Sequence, residues 1–275
     1  MHPKQLLDHY QLEPKKSLGQ NFLFDENVLA RIVDAAEVGA ADEVLEIGPG
    51  LGALTRLLAQ RARRVVAVEL DDRFLPILHN ELEELTNVQV VHGDILAQEP
   101  GMLFEKPYKV VANVPYYITG AILRHLLAAA HKPELMVLTV QKEVAERLTA
   151  VPPHMSLLAV SVQFYGRVQT VTTIKAGAFW PRPDVDSAVV RVELGQARPL
   201  PLPEEELFFR IVRAGFSQKR KQLQNNLRQL GLGKEEVAQW LAVAGVDGRR
   251  RAETLTLPEW LTLYHTFPAK FTPVT

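Results

Sequence analysis

Cysteine is absent from this 275-residue chain, which excludes disulfides, thiolate metal sites, iron–sulfur clusters and a cysteine nucleophile. Long apolar runs are missing as well. No stretch reaches the roughly 18 residues needed to cross a bilayer, and the N-terminal "MHPKQLLDHYQLEPKK" has no apolar core of a secretory signal. A cytoplasmic, non-membrane protein is the expectation. Net charge is only −1, so the global basic field of many nucleic-acid binders is missing. The eight histidines fall at no metal-ligand spacing, and no metal is expected. What is present is core: 47% of residues are apolar and 23% charged, enough for one large or two modest globular domains.

Charge is not spread evenly. Residues 1–199 carry 20 Lys and Arg against 24 Asp and Glu, net −4, whereas 200–275 carry 11 against 8, net +3. The change falls at "GQARPLPLPEEE", where three prolines in a short polar stretch read as a linker. The expected domains are therefore 1–199 and 200–275, with the break near Pro199. Upstream, "EVLEI", "RVVAVEL", "VQVVHG", "YKVVAN" and "LMVLTV" read as strands separated by amphipathic helical stretches. This alternation predicts an α/β, Rossmann-like, mostly parallel sheet covered on both faces. "RVQTVTTI" and "SAVVRVEL" have no helix between them and predict an antiparallel pair at one edge. Downstream, four segments of helical spacing predict a small helical domain.

The first motif is "VLEIGPGLGALTRLL", a strand running into a glycine-rich turn at Gly48, Gly50 and Gly52 and then a helix. Glycines there allow positive φ and close approach of a ligand, and the helix start offers free N–H groups. Gly48, Gly50 and Ala53 also fit the loose dinucleotide pattern, so a nicotinamide-dependent dehydrogenase is one reading. Glu69 ends the second strand, where a carboxylate accepts both hydroxyls of a ribose. Asp94 ends the third, suited either to an adenine amino group or to capping a turn. Glu46 lies in an otherwise apolar strand just before the loop, and a carboxylate there suits a cationic ligand better than a pyrophosphate. S-adenosylmethionine, with a sulfonium and an ammonium and no phosphate, meets that requirement.

The fourth strand ends in "NVPYY", which supplies a chemistry for such a cofactor. An exocyclic adenine amine is a poor nucleophile because its lone pair is delocalised into the ring. Two acceptors on its hydrogens draw it toward sp³ geometry, and the Asn113 side chain and Val114 carbonyl are candidates, with Pro115 restricting Val114 to an extended conformation. Tyr116 is placed to stack on an extracted base. Tyr117 has no role in this scheme.

Across nearly its whole length the chain resembles the ribosomal RNA adenine N6-dimethyltransferase family, in its housekeeping small-subunit branch. The matching stretches are "KKSLGQNFLFD", "LEIGPGLGALT", "VVAVELD", "GDIL", "ANVPYYIT", "QKEVAERL", "FWPRPDVDSAVVR" and "FSQKRKQLQNNL", in the family's order. The resemblance implies that Asn21 and the Leu23 backbone hold the methionine end of S-adenosylmethionine. It puts Gly48 in the cofactor loop, Glu69 on the ribose and Asp94 on the cofactor's adenine. Asn113 orients the target amine, Tyr116 stacks on the base, and Phe179 covers its other face. On its own, Asn21 beside Phe22 would read as a helix-entry residue. The implied substrate is a pair of adjacent adenosines near the 3′ end of small-subunit rRNA, in an assembling subunit, with the enzyme a monomer. Asp184 stands where the family often has Lys, and Trp180 and Arg182 occupy variable positions, which bears on local RNA contacts.

Alternatives within and outside the class remain at this point. A large-subunit methyltransferase of the macrolide-resistance type is disfavoured by "QKEVAERL", "VDSAVVR" and "FSQKRKQLQNNL". DNA adenine and protein glutamine methyltransferases usually carry N-P-P-Y. A dehydrogenase leaves "NVPYY" unexplained, and a non-catalytic ribosome-assembly factor leaves the intact acids and amide unexplained. For RNA, the candidate contacts are Lys219, Arg220, Lys221 and Arg228, followed by Arg249, Arg250 and Arg251, in the net-positive segment. Lys15 and Lys16 are candidates for the same path.

Overall fold

A computed structural model describes residues 2–195 and 200–268, so the expected break at Pro199 lies outside the described residues. The chain forms two compact units, one of Met1–Glu146 with Arg167–Leu194 and one of Arg147–Gly166 with Gly195–Thr275.

The strands are β1 (Phe22–Leu23), β2 (Glu43–Ile47), β3 (Arg64–Glu69), β4 (Val88–His92), β5 (Tyr108–Asn113), β6 (Leu135–Gln141), β7 (Gly166–Ile174), β8 (Phe179–Trp180) and β9 (Ser187–Leu194). Seven of them form one sheet in the order β4-β3-β2-β5-β6-β9-β7, and β1 pairs with β8 apart from it. β2 through β6 pair in parallel, while β9 runs antiparallel to β6. β2 is buried at every position, as expected of a strand covered on both faces, and β4 at one edge is partly exposed throughout. The last two strands are neighbours as the sequence predicts, with β7 at the edge and β9 inside it.

Helices α1 (Pro3–His9), α2 (Glu26–Ala35), α3 (Ala53–Ala59), α4 (Leu75–Glu81), α5 (Pro100–Leu103), α6 (Thr119–Ala128) and α7 (Lys142–Leu148) accompany these strands. Ile32 and Val33 of α2 and Leu58 of α3 pack with Val44, Val65 and Val111 of the sheet in one apolar cluster. Leu7, Leu51, Phe74, Ile77 and Leu78 form another, which seats α1 and α4. From β2 the chain steps outward to β3 and β4, then returns to β5 on β2's other side. That reversal opens a crevice at the C-terminal ends of β2 and β5, the usual ligand position in open α/β sheets.

The second unit holds α8 (Leu157–Gln163), α9 (Leu202–Gly215), α10 (Leu223–Leu227), α11 (Lys234–Val243) and α12 (Leu257–His265). Phe164 stacks on Phe208 with ring centres 4.5 Å apart, and Trp260 stacks on Phe216 at 5.6 Å. The Met155 N–H donates to the Glu253 carbonyl at 2.9 Å. The Phe164 and Met155 contacts tie 147–166 to the helical unit, whereas the sequence-based division keeps it with the sheet.

Candidate active site

A cavity of about 400 Å³ opens where β2, β3, β4 and β5 end, lined by Glu46, Gly48, Glu69, Asp94, Asn113 and Tyr116 among others. Gly48, Gly50 and Gly52 have φ of 68°, 56° and 80°, so all three occupy the left-handed region that side chains resist. A Cβ on Gly48 would meet nothing within 4 Å, whereas one on Gly50 would press on the Phe22 ring at 3.2 Å. Free space at Gly48 leaves its backbone open to a ligand. The Gly50 N–H donates to Glu69 Oε2 at 3.0 Å, and the Asp71 N–H to Glu69 Oε1 at 2.8 Å. Glu69 is thereby locked at the strand end, with lone pairs left on both oxygens for a diol. Burial raises its pKa, opposed by these backbone hydrogen bonds.

Glu46 is 1% exposed. Burial pushes its carboxyl up to about 8, opposed by the polar influence of Thr55 and reinforced by the charge of Glu69. Its Oε2 and the Thr55 hydroxyl are both buried and make no hydrogen bond of ordinary geometry. An orphaned buried carboxyl beside open space suits a cationic partner, which would favour its ionised form.

Asn21 is no helix-entry cap. Asp25 caps α2 by accepting from the Asn27 and Val28 N–H groups, and the Asn21 amide instead donates to the Gly19 carbonyl at 3.2 Å. The Asn21 carbonyl in turn accepts from Asn113 Nδ2 at 3.1 Å. This bond assigns the Asn113 amide and frees its Oδ1 as an acceptor at the cavity. Val114 is held just beyond the strand, its N–H donating to the Thr139 carbonyl at 3.3 Å. The Tyr116 hydroxyl lies 2.6 Å from Ser187 Oγ, and burial raises the Tyr116 pKa while the bond to Ser187 opposes the rise.

Other expected residues divide. Leu23 lines the cavity. Asp94 both lines it and caps a turn, Oδ1 accepting from the Leu96 N–H at 2.9 Å. Phe179 is paired with Leu23 in the β1–β8 register but lies within the core at 3% exposure, outside the cavity lining. Tyr117, unassigned in the sequence, packs over Gly19, where a Cβ would come within 3.3 Å of its ring. No group of three or more His, Asp or Glu suited to a metal occurs among the described residues.

Sequence reasoning missed a clasp behind the cavity. Gln20 Nε2 donates to Asp71 Oδ2 at 2.7 Å, Lys15 Nζ sits 3.5 Å from Asp71 Oδ1, and Arg73 bonds both carboxylate oxygens. The Arg73 hydrogen bond is the main reason the Asp71 carboxyl falls well below the usual range, burial opposing it and Gln20 adding to it. Lys15 is thus committed to Asp71.

In the second unit, Lys219, Arg220, Lys221 and Arg228 are exposed and make no ion pair among the described residues. The loop before α10 is fixed by buried Asn226, whose Nδ2 donates to the carbonyls of Gly215 at 2.6 Å and Gln218 at 3.1 Å. Arg249 pairs with Asp247 at 3.2 Å and Arg251 with Glu253 at 3.7 Å. Arg250 is spent internally on Glu259 and on the Thr254 carbonyl. No helix among the described residues is long and apolar enough to cross a membrane.

Known proteins resemble this chain along nearly its whole length. It is 46% identical over 263 residues to a ribosomal RNA small subunit methyltransferase A of Dehalococcoides mccartyi, covering 94% of this chain and 90% of that one. The Geobacillus thermodenitrificans protein of the same name is 43% identical over 272 residues, covering 94% and 93%. Among solved structures, the 23S rRNA methyltransferase ErmE is similar at TM-score 0.74 and 32% identity, over 90% of this chain and 99% of that one. A dimethyladenosine transferase from Plasmodium falciparum is similar at TM-score 0.74 and 25% identity, over 88% and 95%. The family described as ribosomal RNA adenine dimethylase matches residues 11–268, and the chain belongs to that family.

Proposed function

We propose that this chain transfers methyl groups from S-adenosylmethionine to N6 of two adjacent adenosines near the 3′ end of small-subunit rRNA, giving N6,N6-dimethyladenosine. It acts in the cytoplasm, as a monomer, on an assembling small subunit. The carrying observation is the Asn113 amide, which lines the cavity and whose Nδ2 is tied to the Asn21 carbonyl, leaving Oδ1 free to accept.

The donor set fits the cofactor. Orphaned Glu46 suits an ammonium, Glu69 a ribose diol, Asp94 an adenine amine, and the open space at Gly48 a close backbone approach. When bound, S-adenosylmethionine supplies an electrophilic methyl group carried on a cationic sulfur. Asn113 Oδ1 and the Val114 carbonyl accept the two amine hydrogens and turn the nitrogen lone pair out of the ring plane. Tyr116 stacks on the base, whereas Phe179 is packed in the core outside the cavity lining and is given no part in the step. No side-chain base is required, because the alkylated nitrogen is acidic enough to release its proton to water. The chain's contribution is positioning and preorganised hydrogen bonding.

The dehydrogenase reading fails on geometry. The Gly50 N–H, which a dinucleotide site would offer to phosphate, is taken by Glu69, and a pyrophosphate would bring buried Glu46 no cationic partner. In chain order the sheet also reads 3-2-1-4-5-7-6, unlike the 3-2-1-4-5-6 of the dinucleotide fold. Large-subunit methylation is the second reading, favoured by the likeness to ErmE. The test incubates the protein and labelled S-adenosylmethionine with unmethylated small subunits, large subunits, naked rRNA and DNA. Label in small-subunit rRNA is expected; label confined to large-subunit RNA or DNA would refute the proposal.

A further inference from the structure

Ser187 stands 71 positions from Tyr116 in sequence, yet its hydroxyl is 2.6 Å from the Tyr116 hydroxyl. The sheet explains how it gets there. β9 runs antiparallel to β6, so its first residue, Ser187, pairs with Gln141, the last residue of β6, at the end of the sheet where the cavity opens. The ladder continues one step further, the Lys142 N–H donating to the Asp186 carbonyl at 3.0 Å. The Asp186 carboxylate then accepts from the Ala176 N–H at 3.0 Å and from Lys175 at 2.9 Å. Ser187 is thus fixed from both flanks and is 0% exposed.

A buried hydroxyl needs a partner, and here the partner is the tip of a half-buried ring that lines the cavity. A tyrosine anchored only at Cβ swings about χ1, whereas one also held at its hydroxyl keeps its long axis in one direction. Stacking depends on where that ring stands at the cavity wall. Burial keeps the Tyr116 phenol neutral, so the hydroxyl serves as a tether and not as a base.

We infer that Ser187 is a positioning residue for methyl transfer, holding the Tyr116 ring at the place where it receives the target adenine. This rests on the reading of Tyr116 as the base-stacking residue. Single-turnover methyl-transfer rates, cofactor Kd by calorimetry and thermal midpoints are compared for Ser187→Ala, Ser187→Thr, Tyr116→Phe, the Ser187→Ala/Tyr116→Phe double variant and Tyr116→Ala. Ser187→Ala and Tyr116→Phe should each slow transfer about tenfold. The double variant should be no slower than either single variant, Ser187→Thr should recover most of the rate, and cofactor Kd should stay within about twofold throughout.

If both single variants transfer at wild-type rate while Tyr116→Ala is slow, the tether is refuted and the stacking role stands. Losses that multiply in the double variant refute the tether too. If Tyr116→Ala itself transfers normally, the tether and the stacking role fall together. Should Ser187→Ala fail to fold, Tyr116→Phe breaks the same bond from the cavity side and decides the matter alone.

Discussion

At the residue scale the cavity assigns different work to chemically similar groups. Two acids, Glu46 in β2 and Glu69 in β3, lie at the same end of the sheet, but Glu69 is bonded to two backbone N–H groups and Glu46 Oε2 to none. With its folded pKa raised to about 8 from 4.5, Glu46 makes the cofactor-free protein less stable as pH rises between those values, because the unfolded chain ionises first. Thermal midpoints measured across that window should show Glu46→Gln gaining on the native protein as pH increases; a constant gap would contradict the assignment. Glu69→Ala should weaken cofactor affinity by about tenfold or more, through loss of hydrogen bonds to a charged group. Tyr116→Ala should leave that affinity nearly intact and slow transfer by about 5- to 150-fold, the range that 1–3 kcal/mol of base stacking corresponds to. Calorimetry and single-turnover rates separate the two, and equal loss of cofactor affinity in both would refute the division.

At the scale of elements, the glycine turn and the strap from Lys15 to Asn21 both contribute to the cavity wall. Gly48→Ala introduces strain of about 1–2 kcal/mol at φ 68° and puts a methyl into the open space, so it should reduce cofactor binding far more than it lowers the melting temperature. Gln20→Ala releases the strap from Asp71 and should weaken cofactor binding while Tyr116 stacking is spared. What the sequence discloses follows the same divide. The glycine turn, the acids at strand ends and "NVPY" are local patterns fixed by strand period and turn chemistry, and each contributes to the cavity lining. The Gln20–Asp71 clasp spans 51 positions and the Tyr116–Ser187 bond spans 71, and no local periodicity encodes either. The run Arg249–Arg251 misleads for a related reason: its middle residue reads as a surface cation, but Glu259, nine positions on, consumes it.

At the scale of the whole molecule, the sheet unit carries the proposed active site, and the helical unit carries the exposed cations, unpaired among the described residues, that are proposed to meet rRNA phosphates. Replacing Lys219, Arg220 and Lys221 by Ala should lower the salt dependence of RNA binding, each lost phosphate contact reducing the slope by about 0.7–0.9, with the fold intact. Arg250→Ala should instead lower the thermal midpoint, since it strands Glu259 and releases the Thr254 carbonyl. The central claim is dimethylation of adenine in the small subunit, and one time course addresses it directly. Unmethylated small subunits are incubated with excess S-adenosylmethionine, and the rRNA is digested and its nucleosides resolved by mass spectrometry. N6-methyladenosine should rise and then decay as N6,N6-dimethyladenosine accumulates to two residues per subunit; an end point at the monomethyl stage, or no modified adenosine at all, would contradict the account.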